Sequence, residues 1–340
     1  MVSSEAAGDF LVDLAERLTV SCDPASVRAM MERACGGQLS ERGPDGYRAS
    51  LLTLSGLPFE ASVSGGGGKV APVVRYATET ATQETRFDSR VAAQIAAIRA
   101  LVSWLPNGDQ TVADMFESFV TTLYPDPASV SARYRSASWI GVVHDSAVPD
   151  HAARLKVYGY PDVVPGGLRR LCDVWPGFAD LAPVRDDPKL IKPVIVALEM
   201  DARGELNHKI YLRAGYDAAV PMKLVRDFGH PAWEVLSELV RCGLDAAELH
   251  RYDYFICCAR GSGPPTYAFT LAARVGDDLA GLARELASRH HGSTVAVDAL
   301  AQVAASSGAS WRYSAVGLGV SAEHGLDKLN VYGVPTWSDA

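Results

Sequence analysis

Apolar and polar positions along the chain follow two periods, one helical and one alternating. Phe10 to Val20 has helical spacing. A second helix begins at Asp23-Pro24, with Asp as N-cap and Pro at the first helical position, and runs to about Cys35 before Gly36-Gly37. The alternating period then takes over. Strands are expected at Arg48 to Leu54, after a turn at Phe59 to Val63, and, beyond a hairpin tip of four glycines (Gly65 to Gly68), at Val70 to Glu79. Helical spacing returns in Phe87 to Trp104 and Val112 to Leu123.

The same grammar repeats to the end of the chain. Strands are predicted at Ser138–Val143 and Arg154–Tyr160, a helix at Gly167–Val174, and strands at Val194–Met200 and His208–Arg213. Helices at Ala232–Cys242 and Ala246–Tyr252 precede strands at Tyr254–Ala259 and Tyr267–Arg274. Helices at Leu279–His290 and Val295–Ser306 lead into closing strands at Tyr313–Val320 and Lys328–Val334. Beyond the strand at Arg48 to Leu54, five strand pairs alternate with helical sequence, a repeat that demands a reading at the level of the fold. The turns within each pair are too short for a parallel crossover, so each pair is an antiparallel hairpin. The expected class is α+β: a ten-stranded antiparallel β-barrel surrounded by α-helices. Closure removes exposed sheet edges, and about ten strands leave room inside for ligands. No Pro/Ser-rich linker interrupts the chain, so residues 1–340 are expected to form one domain, with the helical segment 1–40 packed on the outside.

Two strands carry unusual chemistry. Leu155-Lys156-Val157-Tyr158 and His208-Lys209-Ile210-Tyr211 each place a Lys and a Tyr two residues apart, hence on one face. Tyr267-Ala268-Phe269 and Lys328-Leu329-Asn330-Val331-Tyr332 echo them imperfectly. A repeatedly cationic and aromatic face suits a cavity that binds an anion and shields a carbocation. The chain as a whole is acidic, with net charge -8 and pI near 5.5, which argues against general nucleic-acid binding and makes any basic site local. The six cysteines show no CxxC spacing and are read as buried thiols in a reducing cytoplasm. The first residues lack the pattern of a signal peptide, and no apolar run approaches the ~20 residues of a membrane span, so a soluble cytoplasmic protein is expected. Acidic pairs at Asp186-Asp187 and Asp277-Asp278 do not extend to DDxxD spacing, and Asp277-Asp278 suits a helix N-terminus. The glycine run lacks the Lys-Ser/Thr of a phosphate-binding loop, and no histidine pair has helical metal-ligand spacing.

Taken in order, Gly56-Leu57-Pro58-Phe59-Glu60-Ala61-Ser62, Val74-Arg75-Tyr76 and the two Lys-x-Tyr strands resemble the ABBA aromatic prenyltransferases, in particular the dimethylallyltryptophan synthase branch in its shorter bacterial form. The resemblance spans about Tyr47 to Thr336. It implies a barrel that holds an allylic diphosphate and an aromatic acceptor and works without magnesium or another cofactor. Glu60 would polarise or deprotonate the acceptor N–H, and a carboxylate in an apolar cavity has its pKa raised, as a base requires. Arg75, Lys156 and Lys209 would hold the diphosphate. Asn207 stands where the family often has an additional Arg, and Lys328 is a candidate to compensate. Tyr158, Tyr211 and Tyr332, with Tyr267 and Phe269, would shield the cation. Phe269 replaces a usual tyrosine, and Val316 and Leu318 occupy a region where the family often places another, which would make that side of the cavity more apolar and favour a larger or differently oriented donor.

Each assignment has an ordinary rival. Strand lysines also serve as solvated edge blockers, tyrosines half-bury readily in any strand, and Glu60 could sit on a surface rim. The expected reaction is transfer of a prenyl group, dimethylallyl first, to an indole or tryptophan-derived carbon, by a soluble monomer or weak homodimer. The alternatives are a phenol, naphthol or peptide acceptor in the same barrel, or a non-catalytic barrel that binds an anionic amphiphile. Prenyl length, the carbon attacked and regular or reverse attachment depend on how two ligands stack, which residue pattern does not encode.

Overall fold

The computed structural model describes residues 2–36, 38–131, 134, 136–181, 190–274, 277–321 and 323–337. The Asp186-Asp187 pair lies outside the described residues. Among the described residues, ten strands of six residues or more form one antiparallel sheet: β1 Phe59–Gly66, β2 Val73–Thr78, β3 Ile140–Asp145, β4 Arg154–Gly159, β5 Ile191–Asp201, β6 Leu206–Ala214, β7 Asp253–Arg260, β8 Thr266–Ala272, β9 Ala309–Ser321 and β10 Gly325–Trp337. Each pairs with the next in sequence, and β10 pairs back onto β1 from Leu329↔Gly65 to Gly333↔Ala61. The sheet is therefore a closed barrel, with all five hairpin turns at one end. The segments bearing the intervening helices leave and rejoin at the other end.

The barrel has two insulated faces. Outward strand positions such as Val63, Leu155, Leu198, Ile210, Leu212 and Val331 are fully buried beneath the helices. The hydrophobic core is thus a cylindrical layer between barrel and helices, and the barrel interior is left for charged and aromatic side chains around a cavity. The helices are α1 Ser4–Arg17, α2 Pro24–Cys35, α3 Phe87–Val102, α4 Gln110–Leu123, α5 Gly167–Val174, α6 Pro176–Ala179, α7 Val220–Phe228, α8 His230–Arg241, α9 Ala280–His290 and α10 Val295–Ser306. Asp23 caps α2 by accepting from Ser26 N–H, and Gly36 ends it at φ 75°, both as the sequence predicts. From α1, Phe10 stacks on Trp311 of β9 with ring centroids 5.5 Å apart and meets Phe59 of β1 edge-on at 6.2 Å. The glycine tip is a short return: Lys69–Val70 pairs with Gly65 and Gly66 around a turn at Gly67 and Gly68. Gly66 permits closure, since a Cβ there would lie 1.8 Å from the Asp327 carbonyl oxygen at the start of β10.

Several local expectations change. Arg48 to Leu54 is no strand. Its polar groups are claimed elsewhere: Ser50 Oγ donates to Glu79 Oε2 at 2.6 Å, and Arg90 Nη1 donates to the Ala49 carbonyl at 3.2 Å. β2 starts only at Val73, after Pro72 interrupts the return from the tip. Helix α7 is an element the sequence pattern does not predict; Pro221 occupies its first turn, where a proline is tolerated. Ala246–Arg251 is a 3₁₀ rather than an α-helix. Asp278 Oδ1 accepts from Ala280 N–H at the start of α9, as expected of an acidic helix N-terminus.

Candidate active site

The barrel encloses a cavity of ≈ 1010 Å³. Inward side chains arrange themselves in three tiers along its axis. Nearest the hairpin turns are cations: Arg75 on β2, Arg154 and Lys156 on β4, Lys209 on β6 and Lys328 on β10. Their strands bring them together because Arg154, Lys209 and Lys328 all lie a few residues from a hairpin turn. Arg75 Nη1 donates to Asn330 Oδ1 at 2.5 Å, which fixes the plane of its guanidinium. Lys328 keeps exposed surface, yet the barrel wall surrounds it; burial, and next the charges of Arg75, Arg154 and Lys209, push its pKa down to about 7.

Among these cations sits one carboxylate. Glu199 on β5 lies directly across from Lys156 and diagonally from Lys209, which is paired with Ala197. Lys156 Nζ is 2.9 Å from Glu199 Oε2, and Lys209 Nζ is 2.7 Å from Oε1. Burial raises the Glu199 pKa, but Lys156 and Lys209 together outweigh it and hold the group well below the ordinary carboxylate range. Burial lowers the Lys209 pKa, against which Glu199 works.

The middle tier is aromatic. Tyr158 and Tyr211 have ring centroids 5.8 Å apart, and Trp139 lies 5.6 Å from Tyr158 and 5.4 Å from Tyr160. Tyr332 lines the cavity on the β10 side. A glycine makes room for one of these rings: a Cβ on Gly141 would stand 3.3 Å from Tyr158 Cε2. Lys156 Nζ lies 5.3 Å from the Tyr158 ring centroid, so the aromatic tier begins where the cationic one ends. Burial pushes the Tyr158 and Tyr332 hydroxyls up to about 12, so both are neutral donors at ordinary pH.

Below the aromatics stands Glu60. Ser314 Oγ donates to its Oε1 at 2.6 Å. Burial raises the Glu60 pKa to about 7, with the Ser314 bond and the Arg75 charge opposing the rise. Here the cavity is also bounded by Leu51, Leu52 and Leu54 and by the Arg213–Asp253 ion pair, whose Arg213 Nη2 lies 2.5 Å from Asp253 Oδ2.

Of the residues singled out in the sequence, Glu60, Arg75, Lys156, Lys209, Lys328, Tyr158, Tyr211 and Tyr332 all line this cavity. Phe269 does not. It points out of the barrel, where Phe228 of α7 meets its ring edge-on at 5.5 Å. Tyr267 touches the cavity wall, but its ring packs beside Phe269 on the same Phe228, at 5.7 Å. Register is the reason: Ala268, Thr270 and Ala272 are the inward positions of β8, opposite Gly319, Gly317 and Ala315 of β9. Val316 and Leu318 accordingly face outward and are buried under the helices, so they do not shape the cavity. Asn207 shares a face with Lys209 but lies outside the cavity lining, its amide folded against Gly261, where a Cβ would stand 2.4 Å from Asn207 Oδ1. Glu199, Arg154, Trp139, Tyr160, Ser314 and Cys257 were missed. Arg154 and Trp139 were within reach, since each shares alternation parity with a cavity residue of its own strand or the segment leading into it. The reading of buried thiols holds for Cys35, Cys242 and Cys258 alone; Cys22, Cys172 and Cys257 are half-buried, and Cys257 faces the cavity. Among the described residues, no group of three or more His, Cys, Asp or Glu side chains is placed to hold a metal ion, and no helix is long and apolar enough to cross a membrane.

This architecture has solved relatives. The chain has the fold of the ABBA aromatic prenyltransferases. It superposes on the 5-dimethylallyltryptophan synthase of Streptomyces coelicolor with a TM-score of 0.70 and 18% identity, over 97% of this chain and 96% of that one. The 6-dimethylallyltryptophan synthase of Micromonospora olivasterospora, solved with DMASPP and Trp, gives 0.70 and 17% identity over 98% and 97%. AnaPT from Neosartorya fischeri gives 0.67 and 14% over 99% and 95%. No family model matches the sequence, and no curated protein matches it.

Proposed function

We propose that this protein is an aromatic prenyltransferase that moves a dimethylallyl group from its diphosphate to an aromatic carbon of an indole, with tryptophan or a tryptophan-derived molecule as first choice. One observation carries the reading: a single cavity stacks an anion site, an aromatic belt and a carboxyl poised near neutrality in the order the chemistry uses them. Arg75, Lys156 and Lys209, joined by Arg154 and Lys328, take up the charge that develops on the departing diphosphate. Tyr158, Tyr211 and Tyr332 offer ring faces to the allylic cation and keep water from it. The acceptor ring attacks from the Glu60 side, and the ionised Glu60 polarises its N–H or removes the ring proton. In this reading the protein's own cations replace a metal, and one soluble, cytoplasmic chain holds the whole site. The structural relatives solved with DMASPP and Trp support the choice of ligands.

The test is incubation with dimethylallyl and geranyl diphosphates against a panel of indoles and phenols, with EDTA present and products read by mass. A prenylated indole is the expected result, and a prenylated phenol alone would move the acceptor class. No product with any acceptor would leave a barrel that binds anionic amphiphiles.

A further inference from the structure

Glu199 has no place in the reaction just described, yet it occupies the centre of the anion site. Its two carboxylate oxygens each take one lysine, at 2.9 Å and 2.7 Å, so the two ammonium groups converge on it from neighbouring strands. All three side chains are nearly enclosed, with exposures of 10%, 13% and 6% for Lys156, Lys209 and Glu199. The point that both lysines can reach together is the point at which they would share an oxygen of a bound diphosphate. It is filled by the protein's own carboxylate. The other charged groups facing it are Arg75, Arg154 and Lys328, and the neutral ones Tyr158, Tyr211 and Cys257. A diphosphate arriving against these cations meets a like charge within a few ångströms, in a setting where such repulsion is poorly screened.

Resting on the prenyl-transfer reading, we propose that Glu199 is a resident counter-anion: it competes with diphosphate for Lys156 and Lys209, weakens the site's hold on the anion and speeds release of the diphosphate product. Before the donor binds, it keeps two enclosed ammonium groups paired, which they would otherwise lack. When diphosphate binds, the lysines shift part of their hydrogen bonding to it, and Glu199 draws them back when the product leaves. Each ammonium has three donors, so the exchange needs no lysine to be left bare.

The experiment is calorimetric titration of inorganic pyrophosphate into the full chain, wild type against Glu199→Gln and Glu199→Asp, with thermal melting of each alone and with saturating pyrophosphate. Glu199→Gln is expected to bind pyrophosphate at least tenfold more tightly, to melt lower than wild type when empty, and to gain more on binding. Glu199→Asp, which keeps the charge but retreats by one methylene, is expected to fold as wild type does and to show a smaller tightening. With donor and acceptor, Glu199→Gln should show a burst of one turnover followed by a slower steady-state rate set by product release. Unchanged or weaker pyrophosphate binding in both variants would overturn the proposal and make Glu199 a bracket that positions the lysines. Pyrophosphate that binds wild type no better than an Arg75→Ala variant would overturn the anion site itself, and with it the proposed function.

Discussion

At the scale of single residues, Glu60 is the group whose environment says most about chemistry. An exposed glutamate is fully ionised at neutral pH and a poor base. Burial moves Glu60 to about 7, where it is basic enough to accept a proton and still half ionised. A base works in its ionised form, so kcat/KM should rise with pH through about 7 and level off above. Ser314→Ala removes the hydrogen bond that favours the carboxylate, and the pH profile should shift to higher pH without loss of the plateau. Glu60→Gln should cost roughly 10²–10⁴-fold in kcat while pyrophosphate binding holds, since general-base catalysis contributes on that order. Equal loss of both would make Glu60 structural. For stability the sign is reversed. The folded pKa is raised, so the folded state holds the proton more tightly than the unfolded chain. That contribution is fully present below about 4.5 and is lost as pH rises through about 7. The melting temperature of Glu60→Gln should therefore decline less between those pH values than that of wild type.

At the scale of elements, the segment 48–54 shows how a stretch with strand-like alternation becomes a wall of the cavity. It is pinned from below by Glu79, which accepts from Ser50 Oγ and Ser136 Oγ at 2.6 Å each and lies 3.6 Å from Arg90 Nη1. Arg90 in turn donates to the carbonyls of Ala49, Thr82 and Glu84. Local hydrogen bonds to two buried side chains replace the ladder a strand would need, and the three leucines of the segment are left for the cavity. Glu79→Ala removes the carboxylate beside a buried arginine that keeps its three carbonyl acceptors, and takes from Ser50 and Ser136 the acceptor that ties the segment down. It should cost about 1–3 kcal/mol in denaturant unfolding, the scale of a lost buried hydrogen-bond acceptor, and it should raise KM for the acceptor more than for the diphosphate donor. Comparable changes in the two constants would show that the segment does not shape the acceptor end.

At the scale of the whole molecule, barrel and N-terminal helices share one core. Phe10 is fully buried against Trp311 and Phe59, which belong to the two strands flanking the closing strand β10. Phe10→Ala should lower stability by about 3–5 kcal/mol, with far-ultraviolet circular dichroism and tryptophan fluorescence reporting one coincident transition. Two separated transitions would mean that the N-terminal helices melt apart from the barrel.

Order and direction of the ten barrel strands were legible along the chain, with one strand too many expected at Arg48 to Leu54, because the alternating period and short turns are local properties of the backbone. So were the Lys-x-Tyr strands, because a lysine two residues from a tyrosine, beside Val or Ile, marks one chemically distinct face; Glu60 and Arg75 came from the family resemblance. Other assignments were not local. On β8, Tyr267 and Phe269 are as content under a helix as in a cavity, and nothing in Thr266–Ala272 tells the two faces apart. The neighbouring register decided it, turning Ala268, Thr270 and Ala272 inward. Glu199 likewise sits in an apolar strand with no sign of its partners until pairing sets it across from Lys156. Sequence by itself determined which residues share a face, since that depends on alternation alone. Only the closed barrel decided which face looks inward and which charges meet there, since that depends on strands far apart in the chain.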